Sequence, residues 1–245
     1  MTYQYFKGKS ESDKRLNIRI MKRYVDRKQE LDKQLEKMIA PFMTSKVENV
    51  LDACCGLGHV SAMLARKYPK PWFYGVDQTP YLIEEGRKLF KGVENLRLLA
   101  WDVNRLLPLK AYEITILWKT ISWLPSYEDM LERLIKVTRR HIFISGLFYE
   151  DDVDFFTEVR SNRREAARKG DPVAVYHTIS LPRFEAWCLK HKVKHVHWEK
   201  FEIPIDLPRK FLGEIGTYTE KLKDGRRLQI SGVMLMNWYI IRLDL

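Results

Sequence analysis

A short turn that contains two glycines is the part of this sequence best suited to chemistry. Positions 50–58 have the sequence VLDACCGLG, in which an apolar run leads to Asp52 and the turn contains Gly56 and Gly58. Glycine permits a positive φ and a close approach of the backbone to a ligand. A helix that begins directly after such a turn directs free amide N–H groups toward an anionic group. The segment therefore predicts a ligand-binding loop between a strand and a helix.

Two further carboxylates follow predicted strands. Asp77 comes after the run at 73–76, and Asp102 comes after the run at 98–101. The carboxyl ends of neighbouring parallel strands meet at one edge of a sheet, where ligands bind in such folds. A carboxylate at the second strand can accept hydrogen bonds from both ribose hydroxyls, and one at the third strand can accept from an exocyclic amino group. With Asp52, these residues predict a site for a cofactor that contains a nucleoside.

The order of these residues resembles that of class I S-adenosylmethionine-dependent methyltransferases. Residues 52–58 are similar to the first motif of this family, with Cys54 where the family often has its first glycine. Asp77 matches the ribose-binding acid of the family and Asp102 its adenine-binding acid. The resemblance covers about residues 45–150 and extends weakly to the last two predicted strands. It implies S-adenosylmethionine as the cofactor, held by Asp52, Ala53, Cys54, Gly56, Gly58, Asp77, Gln78, Asp102, Val103, Trp118 and Lys119.

A nicotinamide-dependent dehydrogenase is the main alternative for a strand–loop–helix unit of this kind. Its loop requires a third glycine, which packs the helix on the strand beside the pyrophosphate. The present loop has two glycines preceded by bulkier cysteines, and an acid follows the third strand. Both departures favour the methyltransferase. A domain that binds S-adenosylmethionine or a nucleotide without catalysis stays open as a further alternative.

The acceptor side is indicated by the segment WKTISWLP at positions 118–125. It resembles the fourth-strand motif that lines the methionine and acceptor side of these enzymes. Trp123 and Tyr149 are predicted to wall the acceptor site, because aromatic faces suit rings, sugars and cations. Arg227, in a predicted hairpin, can bind a phosphate or carboxylate of the acceptor. The segment lacks the Asn-Pro-Pro-aromatic signature of enzymes that methylate nucleobase amines.

The resemblance also implies an in-line displacement at a sulfonium methyl group, for which the protein supplies alignment and excludes water. A hydroxyl acceptor also needs a base, whereas an amine needs only to arrive neutral. His177 is the first candidate for the base because histidine titrates near neutral pH, and Tyr176 is the second. No metal is expected. The spacing of His195 and His197 suits a ligand pair, but an exposed basic strand explains it better.

Alternating strands and helices are predicted to position these residues. A helical face recurs over 14–43, and helices are expected at 61–68, 80–90 and 127–137. Strands are expected at 47–53, 72–76, 96–100, 113–117 and 141–145. This alternation predicts an α/β fold of the Rossmann-like type, with a mostly parallel seven-stranded sheet and helices on both faces.

The carboxyl-terminal part is less regular. Helices are predicted at 152–169 and at 181–191, the second capped by Ser180. A strand is expected at 193–199, a hairpin over 217–230 that turns at Asp224-Gly225, and a final strand at 233–243. The hairpin is an insertion and a candidate for acceptor recognition. We expect one domain, with a helical cap over 1–44, a cofactor-binding core over 45–150 and acceptor-side elements over 151–245.

The composition is that of a globular protein with a basic surplus. Hydrophobic residues make up 45% and the net charge is +11. No apolar stretch is long enough for a signal core or a membrane span, and three cysteines give no disulfide framework, so a cytoplasmic location is expected. The charge favours an anionic partner. We expect methyl transfer to an oxygen or nitrogen of a small molecule, with a saccharide or nucleotide sugar among the acceptors considered; RNA or protein is the alternative acceptor.

Overall fold

The computed structural model describes residues 11–103, 105, 111–159, 174–209 and 216–245. It begins with two α-helices, α1 (Glu11–Asp26) and α2 (Glu30–Ile39), and a 3₁₀ turn at Ala40–Phe42. The single helical pattern predicted over 14–43 is therefore divided at 27–29. The two helices have different partners: α2 buries Leu31, Leu35 and Ile39 in the main core, whereas Asn17 of α1 donates to the Tyr81 hydroxyl.

The central part follows the predicted alternation. Its strands are β1 (Asn49–Ala53), β2 (Trp72–Asp77), β3 (Leu96–Ala100), β4 (Tyr112–Leu117) and β5 (Thr138–Tyr149). Its helices are α3 (His59–Lys67), α4 (Pro80–Leu89) and α5 (Glu128–Val137), and a 3₁₀ turn lies at Ile121–Trp123. β5 is much longer than the predicted strand at 141–145.

The carboxyl-terminal part contains β6 (Phe155–Val159), β7 (Ala174–Ser180), α6 (Leu181–Lys190), β8 (His195–Lys200), β9 (Thr217–Lys221), β10 (Arg227–Ser231), β11 (Met234–Leu235) and β12 (Trp238–Asp244). Ser180 caps α6 as predicted, accepting a hydrogen bond from the Arg183 amide. The predicted hairpin is confirmed as β9 and β10, whose turn includes Gly225 at φ +88°. β11 extends it to three strands.

The prediction of a helix over 152–169 is wrong where the structure describes this segment. Residues 155–159 form β6, which pairs antiparallel with β7. The sequence FFTEV at these positions is rich in aromatic and β-branched residues, which favour strands beside a partner of this kind. Positions 160–169 of the predicted helix lie outside the described residues.

The main sheet has the strand order β3-β2-β1-β4-β5-β12-β8. β1 to β5 are parallel, and β12 is antiparallel to both β5 and β8. This path of seven strands confirms the predicted fold. β7 is an addition to it and pairs in parallel with residues 147–149 of β5, beyond the last residue of β4, Leu117. Beyond the end of β4, β7 therefore takes the place of β4 as the neighbour of β5.

Helices cover both faces of this sheet. Side chains of α2, α3 and α4 pack on one face and side chains of α5 and α6 on the other, because alternate strand residues point in opposite directions. Val50 and Leu51 of β1, for example, belong to different faces. No helix in the described ranges is long and apolar enough to cross a membrane.

Candidate functional site

The glycine loop connects β1 to α3 and adopts left-handed backbone conformations at three positions. Cys54 has φ +59°, Gly56 has φ +58° and Gly58 has φ +81°. A Cβ atom at position 58 would lie 2.5 Å from the Leu98 side chain, so glycine is needed there for packing as well as for conformation. The amide of Cys55 donates to the Val76 carbonyl, which fixes the loop to the end of β2. The predicted strand–loop–helix unit is thus present.

Asp52, the penultimate residue of β1, is buried. It accepts a hydrogen bond of 2.5 Å from the Ser61 hydroxyl of α3. Burial raises the pKa of Asp52 to about 7, against the lowering effect of Ser61, and the charges of Asp77 and Asp32 raise it further. The carboxylates of β1, β2 and α2 are therefore electrostatic neighbours.

Asp77 ends β2 directly behind the glycine loop. Its Oδ2 accepts from the Gly56 amide and its Oδ1 from the Thr79 amide, each at 2.9 Å. Burial raises the pKa of Asp77 despite these two hydrogen bonds. Each carboxylate oxygen has a further lone pair that can accept from a hydroxyl. Gln78, the next residue, is exposed.

Asp102 and Val103 follow β3 at the same edge. The Trp101 amide donates to the Asp77 carbonyl, which joins this segment to the end of β2. Burial raises the pKa of the Cys54 thiol, and the charges of Asp77, Asp52 and Asp102 raise it further. Cys54 thus lies among the three carboxylates, as the order of the strands predicted.

The structure joins two of the predicted residues, Trp118 and Lys119, to a buried acid that the sequence did not indicate. Asp32 of α2 is only 1% exposed, and its Oδ1 accepts from Trp118 Nε1 at 2.9 Å and from Lys119 Nζ at 2.7 Å. His59 Nε2 lies 3.5 Å from Asp32 Oδ2, and Lys119 Nζ also donates to Gln29 Oε1 at 2.6 Å. We call these five residues the Asp32 cluster. The signal in the sequence was an acid beside Leu31 and Leu35 on the apolar face of α2.

The Asp32 cluster contains a buried ion pair. Burial alone would raise the pKa of Asp32, but the nearby His59 ring and the charge of Lys119 hold it well below its ordinary value. Burial lowers the pKa of Lys119, and the neighbouring Asp32 opposes this effect. Lys119 has φ +55°, an unfavourable conformation for a residue with a side chain, and its amide donates to the Ser145 hydroxyl at 2.8 Å.

Helix α1 lies across the glycine loop. A Cβ atom at position 56 would lie 2.3 Å from the terminal methyl of Met21. The Tyr24 ring is 5.9 Å from the His59 ring, and Lys119 Nζ lies 5.4 Å from the Tyr24 centroid. The Met21 contact involves the flexible end of its side chain, which can rotate when a ligand approaches Gly56.

Two of the predicted acceptor-side residues are in contact at the carboxyl end of β4. The rings of Trp123 and Tyr176 are 4.3 Å apart, and both side chains belong to the same face of the sheet. Tyr149, at the end of β5, is 37% exposed and packs edge-on against Phe155 of β6. The β6–β7 pair therefore contributes aromatic residues beside the end of β4.

The two candidate bases point in opposite directions. Because residues alternate along β7, His177 faces the side of the sheet that carries α5, away from Tyr176. It is 3% exposed, stacks on Phe156 at 4.1 Å, and its Nε2 lies 3.7 Å from Asp154 Oδ1. Burial lowers the pKa of His177, which Asp154 opposes only in part. Its role as a base stays a prediction.

Arg227 and the histidines of β8 have partners of their own. Arg227 Nε donates to Asp206 at 2.7 Å, so its contact with an acceptor stays a prediction. His197 Nε2 lies 3.0 Å from Asp244 Oδ2, and the rings of His195 and His197 are 6.1 Å apart. Within the described ranges, no group of three or more histidine, cysteine, aspartate or glutamate side chains is arranged to hold a metal ion.

Comparison with known proteins agrees with this geometry. Residues 50–141 match a family model described as a methyltransferase domain. The match includes the glycine loop, Asp77, Asp102 and the whole of β4. Together with the strand order, the match identifies residues 50–141 as a methyltransferase domain.

Curated relatives share part of the chain. Trans-aconitate 2-methyltransferase from Enterobacter sp. (strain 638) is 26% identical over 103 residues, which are 42% of this chain and 40% of the relative. The same enzyme from Escherichia coli O7:K1 is 22% identical over 156 residues, 62% of this chain and 61% of the relative. The chain thus spans less than two thirds of the length of these relatives.

Solved structures share the fold over more of the chain. The YcgJ protein from Bacillus subtilis has a TM-score of 0.55 at 15% identity, covering 86% of this chain and 97% of that protein. The 1,6-didemethyltoxoflavin-N1-methyltransferase of Burkholderia thailandensis, solved with S-adenosylhomocysteine, has a TM-score of 0.55 at 13% identity, covering 94% and 86%. At these identities the likeness establishes the fold.

Proposed function

We propose that this chain is an S-adenosylmethionine-dependent methyltransferase that acts on an oxygen or nitrogen of a small anionic molecule. The observation that supports it most strongly is the meeting of Asp52, Asp77 and Asp102 around a glycine loop within the matched domain. The cofactor supplies an electrophilic methyl group on a sulfonium. The protein needs to hold both ends of the cofactor, align the acceptor and exclude water.

The residues of this edge have separate roles in the proposal. Asp77 accepts from the ribose hydroxyls, and Asp102 with the buried Val103 receives the adenine. Gly56 and Gly58 let the backbone approach the ribose and methionine portions because neither residue has a side chain of its own, and the flexible end of Met21 would have to move away from Gly56. The remaining predicted contacts come from the loop, from the residue after β2 and from the end of β4: Ala53, Cys54, Gln78, Trp118 and Lys119.

The acceptor is proposed to bind at the carboxyl ends of β4 and β5. Trp123 and Tyr176 form one wall, and Tyr149 lies at the exposed rim. The lowered pKa of His177 favours the neutral form that a base requires, but its side chain faces the α5 side of the sheet, away from Trp123 and Tyr176. Tyr176, the second candidate base, does lie on the acceptor side, but a tyrosine hydroxyl is ordinarily protonated at neutral pH and is a poor base there. An acceptor that needs no base therefore suits this site better than an alcohol. A carboxylate is such an acceptor, because it is already ionised at neutral pH.

Small carboxylic acids are the acceptor class that we favour. The trans-aconitate 2-methyltransferases named above act, by their names, on a small polycarboxylate. The net charge of +11 would attract such an anion. These relatives offer no support for a saccharide or nucleotide sugar, so we test that class only as a comparison.

RNA is the second candidate acceptor, and one feature of α1 favours it. Arg15, Arg19 and Arg23 are exposed and recur every four residues on the helix that lies across the glycine loop. A basic stripe of this kind can follow a phosphate backbone, in which case affinity would fall steeply with salt.

The proposal is tested by supplying methyl-labelled S-adenosylmethionine with three acceptor pools: small carboxylic acids, sugar nucleotides and total RNA at rising salt. Label in the carboxylic acid pool supports the proposal. Label in RNA, with salt-sensitive binding, favours the second candidate. Cofactor binding without transfer to any pool would indicate a non-catalytic binding protein.

The proposal extends to the location and organisation of the chain. We propose a cytoplasmic protein in which residues 1–44 cap the cofactor-binding core. The three cysteines, Cys54, Cys55 and Cys188, are free thiols, which suits a reducing compartment. Fractionation of the source cells, followed by detection of the protein in the soluble or membrane fraction, tests this location.

A further inference from the structure

We infer that β8 is an interaction edge for a second copy of this chain, so that two chains pair through their β8 strands and form one continuous sheet. The inference goes beyond the proposed function, because it concerns the outer edge of the sheet and requires neither cofactor nor acceptor.

β8 is the last strand of the main sheet, and its outer edge is open. It pairs with β12 over its whole length, from Lys200 opposite Tyr239 to His195 opposite Asp244, without a change of register. No other strand pairs with β8 within the ranges that the structure describes. Proline, a bulge or a very short strand often keeps an edge from pairing with another chain. β8 has six residues and an unbroken register, and its sequence HVHWEK contains no proline.

The hydrogen bonds of β12 show which backbone groups of β8 face outward. The Phe201 amide donates to the Trp238 carbonyl, whereas the Phe148 amide donates to the Asn237 carbonyl on the other edge of β12. Backbone groups of successive residues point to opposite edges of a strand, so the even-numbered residues of β12 face β8. Their partners in β8 are the odd-numbered residues. The N–H and C=O groups that face outward are therefore those of Val196, Trp198 and Lys200.

Two antiparallel copies of β8 fit each other when Trp198 lies opposite Trp198 of the second copy. Val196 then lies opposite Lys200, so all the outward-facing residues of β8 form hydrogen-bonded pairs, each of which exchanges two backbone bonds. The Trp198 side chain is 46% exposed, and the two rings would cover each other at the centre of the contact. Such an interface is self-complementary, as a two-fold dimer requires.

Charge complementarity favours a second copy as the occupant of this edge. In the register centred on Trp198, His197 lies opposite the exposed Glu199, at a position where the facing side chains are close. Lys194 lies opposite Glu202, and no two like charges face each other over residues 194–202. A register centred on His197 would instead place Lys194 opposite Lys200. The charges of β8 therefore select one antiparallel register and oppose its nearest alternative.

This pairing leaves the two cofactor edges apart. A two-fold axis perpendicular to the sheet reverses the direction of the strands, so the carboxyl ends of β1 to β4 lie at opposite ends of the continuous sheet. Neither chain then supplies residues to the site of the other. We therefore expect the affinity for the cofactor to be the same in the monomer and the dimer.

The test measures the dimer dissociation constant of the full chain by sedimentation equilibrium over a wide range of concentration. Trp198→Pro removes an outward-facing N–H without removing a bond to β12, a position that proline tolerates in an edge strand. Trp198→Ala removes the ring alone, and Glu199→Lys places a lysine opposite His197. The matched controls are Trp72→Ala, at a tryptophan that is 39% exposed, and Glu94→Lys, at an exposed acid. Thermal unfolding of each variant identifies loss of folding.

We expect the unmodified protein to sediment as a dimer at high concentration. Trp198→Pro should weaken the dimer roughly tenfold to a hundredfold, because each copy loses one backbone hydrogen bond at the centre of the contact. Trp198→Ala and Glu199→Lys should each weaken it roughly tenfold, since the two-fold symmetry repeats the cross-strand effect of each substitution. Trp72→Ala and Glu94→Lys should change the dissociation constant less than about twofold.

Two results would overturn the inference. One is an unmodified protein that is monomeric at every concentration, which would leave the edge to a strand of another protein. The other is a dimer that the β8 variants weaken no more than the controls do, which would place the interface elsewhere. If Trp198→Pro fails to fold, Trp198→Ala and Glu199→Lys still decide the matter. A dimer that binds no S-adenosylhomocysteine would refute the proposed function and leave this inference standing.

Discussion

Replacement of Asp77 by asparagine is the most informative single change at the nucleoside end of the site. Asp77 accepts from the amides of Gly56 and Thr79, and the proposal gives it the ribose hydroxyls as well. Asparagine keeps the size and one acceptor oxygen but replaces the other oxygen with a donor. The NH₂ group would face a backbone N–H, so one loop hydrogen bond is lost along with the charge.

The expected magnitude follows from these contacts. A hydrogen bond to a charged acceptor contributes about 1.5–3 kcal/mol. Loss of one such bond to ribose would weaken cofactor binding by roughly tenfold to a hundredfold. The lost bond to the Gly56 amide would also lower the free energy of unfolding, by about 1 kcal/mol.

Calorimetry with S-adenosylhomocysteine and with adenosine measures the binding effect, and urea denaturation measures the stability. Because the ribose is common to both ligands, Asp77→Asn should weaken them by similar factors. Glu84→Gln, an exposed acid on α4, is the control for loss of charge. Unchanged affinity for both ligands in a folded Asp77→Asn variant would refute the assignment of Asp77 to the ribose.

Three further changes test the structure around the loop. Burial raises the pKa of Asp52 to about 7, so the folded protein keeps a proton that the unfolded chain releases near pH 4. The free energy of unfolding should therefore fall as the pH rises from about 4 to 7. Asp52→Asn should flatten this pH dependence in thermal unfolding, and an unchanged slope would contradict it. Gly58→Ala should lower the free energy of unfolding, measured by urea denaturation, by about 2–4 kcal/mol, because position 58 has a positive φ and its Cβ atom would clash with Leu98 of β3. Gly92→Ala is the control and should lower it little, because there is open space around Gly92. Equal effects of the two substitutions would contradict this packing. The double variant Cys54→Ala, Cys55→Ala should keep turnover within about tenfold, since methyl transfer needs no cysteine nucleophile, and loss of turnover with intact cofactor binding would disprove this.

The sequence was sufficient to predict that three acids meet at one edge of the sheet, because each of these residues lies at or just after the end of a strand. The acids at 52, 77 and 102 each end a strongly apolar run, and a parallel sheet brings the ends of such runs together. The hairpin at Asp224-Gly225 and the Ser180 cap were predicted for a similar reason, since each depends on local backbone chemistry.

Features that depend on distant contacts were not predictable in this way. The helix predicted over 152–169 is wrong at 155–159 because this segment pairs with β7, a contact with a distant part of the chain. Asp32 was missed because an acid on a helix is ordinarily exposed, and its partners, Lys119 and Trp118, are more than eighty positions away. His177 was chosen for its chemistry, and only the alternation of side chains along β7 shows that it faces away from Tyr176.

We propose above all that the chain transfers a methyl group from S-adenosylmethionine to a small anionic acceptor. The most direct measurement is the formation of S-adenosylhomocysteine by the purified protein, with and without a pool of small carboxylic acids, followed by mass spectrometry of the pool. We expect S-adenosylhomocysteine to form only when the acids are present, in an amount equal to that of a methylated acid. Tight binding of a nicotinamide dinucleotide with no binding of S-adenosylmethionine or S-adenosylhomocysteine, or methyl transfer to RNA alone, would contradict it.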